Sequence, residues 1–134
     1  MVLRLSGSQA FWFCANLKYL ELSSELTTIS DYLAQNSGVI SIDIPDKVTS
    51  LGVACFKNCK GLTEVVIPSS VTTIKPEAFA GCDSLTSVTF EDTAGWKYCI
   101  DDKSEGTPID VTDPATNGSN LSAALKTYYW KKFS

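Results

Sequence analysis

The strongest constraint on this chain is that its middle matches itself when shifted by a fixed number of residues. At an offset of 23, Ile44-Pro45 falls on Ile67-Pro68, Val48 on Val71, and Leu51 on Ile74. The same shift brings Phe56 onto Phe79, Cys59 onto Cys82, Leu62 onto Leu85, Val65 onto Val88 and Ile67 onto Phe90. Nine like-for-like matches in one register exclude coincidence. Toward the N-terminus, an offset of 22 relates Ile42, Ile44, Val48 and Leu51 to Leu20, Leu22, Leu26 and Ile29. The deleted residue is assigned between Ile29 and Leu33, because Phe56, Cys59 and Leu62 fall at offset 23 on Leu33, Asn36 and Val39. One step further back, Phe11, Cys14 and Leu17 repeat the second half of the unit.

Each unit therefore has two halves. The pairs Leu20/Leu22, Ile42/Ile44, Val65/Ile67 and Val88/Phe90 recur at alternate positions, the period of a half-buried strand. Pro45 and Pro68 end their strands, since proline cannot donate to a sheet ladder. The second half follows a small-Phe-x-x-Cys-x-x-Leu pattern. In one copy, Pro76-Glu77-Ala78-Phe79-Ala80-Gly81, proline at the start and glycine at the end predict a single helical turn. One such unit cannot bury its own apolar edge, so stability must come from its neighbours.

These motifs resemble the BspA-type leucine-rich repeat of bacterial cell-surface proteins, across residues 10 to 90. The tail, from Asp110 to Asn117 and then Tyr128-Tyr129-Trp130-Lys131-Lys132, resembles the C-terminal caps of treponemal members. The resemblance implies an α/β solenoid: a right-handed coil with a short parallel sheet on one face and short helical turns opposite. It also implies adhesion to host matrix proteins or to other bacterial surface proteins, and a cell-surface or secreted location. Two domains are expected, residues 1–92 holding about three and a half units of 22–23 residues and residues 93–134 forming the cap.

Composition limits the other possibilities. The chain is 44% hydrophobic and 19% charged, a globular balance, and its net charge of −4 argues against nucleic acid as the main partner. No apolar run approaches the ~18 residues of a membrane span, and no basic run suits an anionic bilayer, so membrane insertion is not expected. The short run Ala10-Phe11-Trp12-Phe13 before Cys14 is a poor export signal and a good repeat segment. There is no histidine, which removes the usual general base and the commonest metal ligand. Cys55 and Cys59 have no second pair to complete a zinc site. No phosphate loop or nucleophile elbow is present, so neither cofactor nor metal nor enzymatic activity is expected.

Cys14, Cys59 and Cys82 share one repeat position, with Asn36 as its fourth member, and are expected to be free thiols holding loop backbone groups. In the tail, Ser119 to Trp130 is expected as a last helix, with the surrounding aromatics closing the end of the stack. The sequons at Asn117 and Asn120 carry no weight in so polar a stretch. Only Val2, Leu3 and Leu5 stand ahead of the first repeat segment, so either a longer parent array or self-association through the N-terminal end is expected.

Function is then expected on the outward strand positions. Glu21, Asp43, Val66 and Thr89 form one column, and Tyr19, Ser41, Glu64 and Ser87 the next. Glu21 and Asp43 should be strand neighbours about 5 Å apart, near the carboxylate spacing of retaining glycosidases. An open sheet face gives no enclosed site in which to raise a proton donor, so ligand recognition is the better reading. The expected binding face comprises Tyr19, Glu21, Ser41, Asp43, Glu64, Val66 and Thr89, with a protein as the partner. The rival is a structural spacer or intracellular scaffold repeat with no ligand of its own.

Overall fold

The computed structural model describes residues 11 and 13–133. Along the chain run β1 (Tyr19–Leu20), β2 (Thr28–Ile29), β3 (Ser41–Ile42), β4 (Ser50–Leu51), β5 (Glu64–Ile67), β6 (Thr73–Ile74) and β7 (Ser87–Phe90). Then come β8 (Trp96–Cys99), β9 (Thr107–Pro108), α1 (Pro114–Ser119), a π-helical turn (Asn120–Ala124) and β10 (Tyr129–Lys132). Every parallel pairing joins residues 22 or 23 apart, so the sequence period is also the hydrogen-bonding period. On one track β1 pairs β3 (Tyr19 with Ser41), and β5 pairs β7 over four residues from Glu64/Ser87 to Ile67/Phe90. On a second track β2 pairs β4 and β4 pairs β6, with Ile29, Leu51 and Ile74 in line and all buried.

The expected single parallel sheet is not what forms. Among the described residues no ladder joins β3 to β5, so the first track is two separate two-stranded pieces. The second track belongs to a mixed six-stranded sheet of order β2-β4-β6-β10-β8-β9.

The helical turns expected opposite the sheet do not form either. Their place is taken by successive tight turns with left-handed residues: Tyr32, Ala54 and Glu77 at φ 60, 53 and 64°, then Asn36, Asn58 and Gly81 at φ 59, 58 and 71°. A helix would spend every N–H within the unit. Here alternate amides close turns, as Cys55 N to Gly52 O (3.3 Å) and Lys57 N to Ala54 O (3.2 Å). The amides between them reach the next unit, as Ala54 N to Pro76 O (3.1 Å), Phe56 N to Ala78 O (2.8 Å) and Asn58 N to Ala80 O (2.8 Å). This third track satisfies backbone groups that a lone unit would leave orphaned. Asparagine tolerates the left-handed region, and the Asn58 amide adds a bond to Asn36 Oδ1 at 3.0 Å.

These bonds also correct the alignment of the second unit. Ala34 N donates to Cys55 O just as Phe56 N donates to Ala78 O, so Ala34 stands in the phenylalanine column and Leu33 in the small-residue column. Leu33 restores volume beside the missing ring, while Phe56 and Phe79 stack with centroids 5.6 Å apart. The deleted residue therefore lies after Ser37, not between Ile29 and Leu33. Gly38 follows at once, and a Cβ there would fall 2.0 Å from Ala15 O, a closeness only glycine allows.

The C-terminal segment meets each track differently. α1 lies over β7, β10 pairs antiparallel with β6 (Trp130 with Ile74), and Glu77 N and Gly81 N donate to Lys126 O (2.6 Å) and Ser122 O (3.0 Å). The single helix expected over Ser119 to Trp130 is thus replaced by a helix that starts earlier and a strand that uses Tyr129 and Trp130, both good strand formers. Trp130 and Trp96 are buried against Phe90, at centroid distances of 6.1 and 4.9 Å. The Asn117 amide is wholly buried, which closes its sequon to modification in the folded chain.

Asp113 caps α1, accepting from the Ala115 and Thr116 amides at 3.3 and 3.4 Å. The Thr116 hydroxyl, then the Ala115 amide, hold its carboxyl below the usual range, and the Thr112 hydroxyl and amide do the same for Asp110. A depressed folded pKa contributes stability above the unfolded value, and that contribution is lost as pH falls through the folded one. The expected result is a loss of unfolding midpoint below about pH 4, an effect reduced in Asp113→Asn, which keeps a capping side chain. Midpoints measured by circular dichroism at several pH values test this, and parallel profiles for both chains would refute it.

Candidate functional site

The outward residues of the first track form an open face, because strand alternation sends every second side chain away from the core. Tyr19 and Ser41 are in register, as are Glu64 with Ser87 and Val66 with Thr89. Glu21 and Asp43 follow β1 and β3 by one further alternation, and both are exposed. Two shallow grooves bring all seven expected residues together. One, of roughly 390 Å³, is lined by Tyr19, Glu21, Ser41 and Asp43 with Leu20, Leu22 and Ile42 beneath. The other, of roughly 430 Å³, lies at the break between β3 and β5 and takes in Ser41, Asp43, Glu64, Val66 and Thr89.

Asp46 and Glu91 also line the second groove, and the strand columns did not reveal them. Both sit just past a strand exit, where the alternation used to read the face no longer applies. The available signal was the proline column: offset 23 carries Pro45 to Pro68 and then to Glu91, so an acid replaces the third proline. Glu91 is held in place by the Ser69 amide, which donates to its Oε1 at 3.2 Å. Lys47 is drawn to Glu25 at 2.7 Å, a pair so exposed that it is worth only tenths of a kilocalorie.

The thiols make a separate, internal column. Cys59 Sγ donates to Ala34 O at 3.2 Å and Cys82 Sγ to Phe56 O at 3.0 Å, tying each turn to the unit before it. The second unit's member is Ser37, whose hydroxyl lies 3.5 Å from Cys59 Sγ, and not Asn36. All five cysteines are free thiols. Burial pushes the Cys55 thiol up, and hydrogen bonding to Cys59 together with burial does the same for Cys82. Such thiols stay protonated and serve packing and backbone bonding, not nucleophilic attack. Among the described residues no group of three or more Cys, Asp or Glu side chains is placed to hold a metal ion. Nor is any helix long and apolar enough to cross a membrane.

A family model for the BspA type leucine rich repeat region matches residues 4–96, in six copies. The chain belongs to the BspA-type leucine-rich-repeat family. No curated protein matches it. Repeats of the BspA type make a protein-interaction fold, in which stacked units present side chains at fixed intervals. Ala10 and Trp12 of the first repeat segment, and the apolar residues before it, lie outside the described residues.

Proposed function

We propose that this BspA-type chain is a non-catalytic protein-binding module, which engages its partner through Tyr19, Glu21, Ser41, Asp43, Glu64, Val66 and Thr89. The observation that carries the reading is the second groove, where exposed polar side chains and an apolar floor meet between two hydrogen-bonded ladders. A partner that docks on fixed columns loses little to ordering the receptor. In this reading the units continue as a right-handed coil, residues 1–92 supply the face, and residues 93–134 act as a cap. The hydrogen bonds that leave successive units at the repeat offset support the coil. Family membership supports adhesion at a bacterial surface, with host matrix proteins or other bacterial surface proteins as partners, by analogy alone.

The test is to measure binding of the purified chain to immobilised host matrix proteins and to intact bacteria, beside Glu21→Lys/Asp43→Lys/Glu64→Lys. All three positions are exposed, so the variant should fold with unchanged circular dichroism. Binding should fall at least about tenfold, since like-charge contacts and lost pairs act together. A folded variant that binds as well as the parent refutes the assignment of the face.

A further inference from the structure

We infer that the groove between β3 and β5 takes an extended segment of a partner protein with lysine or arginine at alternate positions; this rests on the strand-face reading above. Four carboxylates line the groove, those of Asp43, Asp46, Glu64 and Glu91, and among the described residues no lysine or arginine does. Four ion pairs among the described residues lie outside it: Lys57 with Glu77, Lys60 with Asp83, Lys132 with Asp92 and Lys47 with Glu25. The groove's charge is therefore left for a partner to complement.

Two further features select an extended basic segment over a loose cloud of cations. Between the carboxylates stands Val66, an apolar side chain that is 50% exposed. A strand presents side chains to one face at every second residue, roughly 7 Å apart, so basic residues at alternate positions all face the carboxylates and lay their aliphatic stems against Val66. The break between β3 and β5 also matters, because no ladder uses the strand edges that face one another there. Such edges carry backbone N–H and C=O groups alike, which suits the backbone of an extended segment. A groove of roughly 430 Å³ admits a few side chains and is too small for a folded element.

The experiment uses the full chain labelled with ¹⁵N and three synthetic peptides: Lys-Val-Lys-Val-Lys, Ser-Val-Ser-Val-Ser and Glu-Val-Glu-Val-Glu. The basic peptide is expected to shift amide signals of Ser41–Ile44 and Glu64–Ile67, with an affinity that falls as salt rises. Asp43→Asn/Glu64→Gln is expected to weaken it roughly five- to tenfold, as two exposed ion pairs allow. If the serine peptide shifts the same signals equally, or the double variant binds the basic peptide as well as the parent, the charge-based inference falls and the strand-face reading stands. If the basic peptide shifts only signals outside the groove, the inference also falls. The strand-face reading itself falls only when the charge-reversed variant keeps its protein partner.

Discussion

Trp130→Ala should lower the stability of the chain by about 3–5 kcal/mol, the usual cost of emptying a large aromatic site. Among the described residues Trp130 is the largest fully buried side chain, and it belongs to three structures at once. Its backbone pairs with Ile74 of β6 on one side and Tyr98 of β8 on the other. Its ring lies on Phe90, the last residue of the repeat strands, and its indole N–H donates to Leu125 O at 3.4 Å. Removing the ring leaves Phe90 facing a void and loosens the strand that closes the second track. Trp130→Phe should recover most of the loss, because it refills much of the volume and forfeits one long hydrogen bond. Urea unfolding followed by circular dichroism gives the numbers. A loss below about 1 kcal/mol for the alanine variant would mean that the segment is held by something else.

Asn117→Asp should cost a similar amount at neutral pH, for a different reason. The Asn117 amide nitrogen donates to Val88 O at 2.9 Å and to Val111 O at 2.8 Å, in a site with no solvent exposure. An aspartate there removes both donors and puts a charge among carbonyl oxygens, at a cost on the order of 3–5 kcal/mol. Asn117→Ala leaves the same carbonyls without that donor but brings no charge, so about 2 kcal/mol is expected. The pH dependence separates the two. A carboxyl buried beside carbonyls has a raised folded pKa, so its penalty grows above the unfolded value and shrinks as pH falls toward it. The aspartate variant should therefore recover on mild acidification, a direction opposite to that expected from Asp113. Equal losses for both variants at every pH would show that the site never holds a charged carboxylate.

How much of this was legible in the sequence depended on whether a side chain or a backbone made the choice. The columns Ile29/Leu51/Ile74 and Phe56/Phe79 follow from apolar matches alone, because burial acts on side chains and leaves a periodic trace. The second unit misled, because Leu33 and Ala34 exchange large and small places and apolar matching cannot distinguish that from a shifted deletion. Only hydrogen bonds fix it, with Ser37 beside Cys59 in place of Asn36. Pro76 and Gly81 were true signals of a turn region but did not say which turn. Proline suits the start of a helix or of a tight turn, and the left-handed Glu77 decides between them. In the tail, the spacing of Leu121, Leu125 and Tyr128 suggested one helix, yet the demand of β6 for a neighbour turned Tyr129–Lys132 into a strand. On the face, alternation located Ser41, Glu64 and Val66, whereas Asp46 and Glu91 lay past the strand exits where it has no meaning.

The way the C-terminal segment engages the last unit sets a rule for length. Its three attachments read particular features of that unit: the Val88 carbonyl, the Ile74 strand edge, and the Glu77 and Gly81 amides. None of them reaches the units before it. A unit duplicated upstream therefore lengthens the face by about 4.8 Å, one strand spacing, and leaves every terminal contact intact. The same unit placed after Phe90 would sever all three. On the reading proposed above, such a chain would be an extensible ruler with a fixed stop, its span set by counting units.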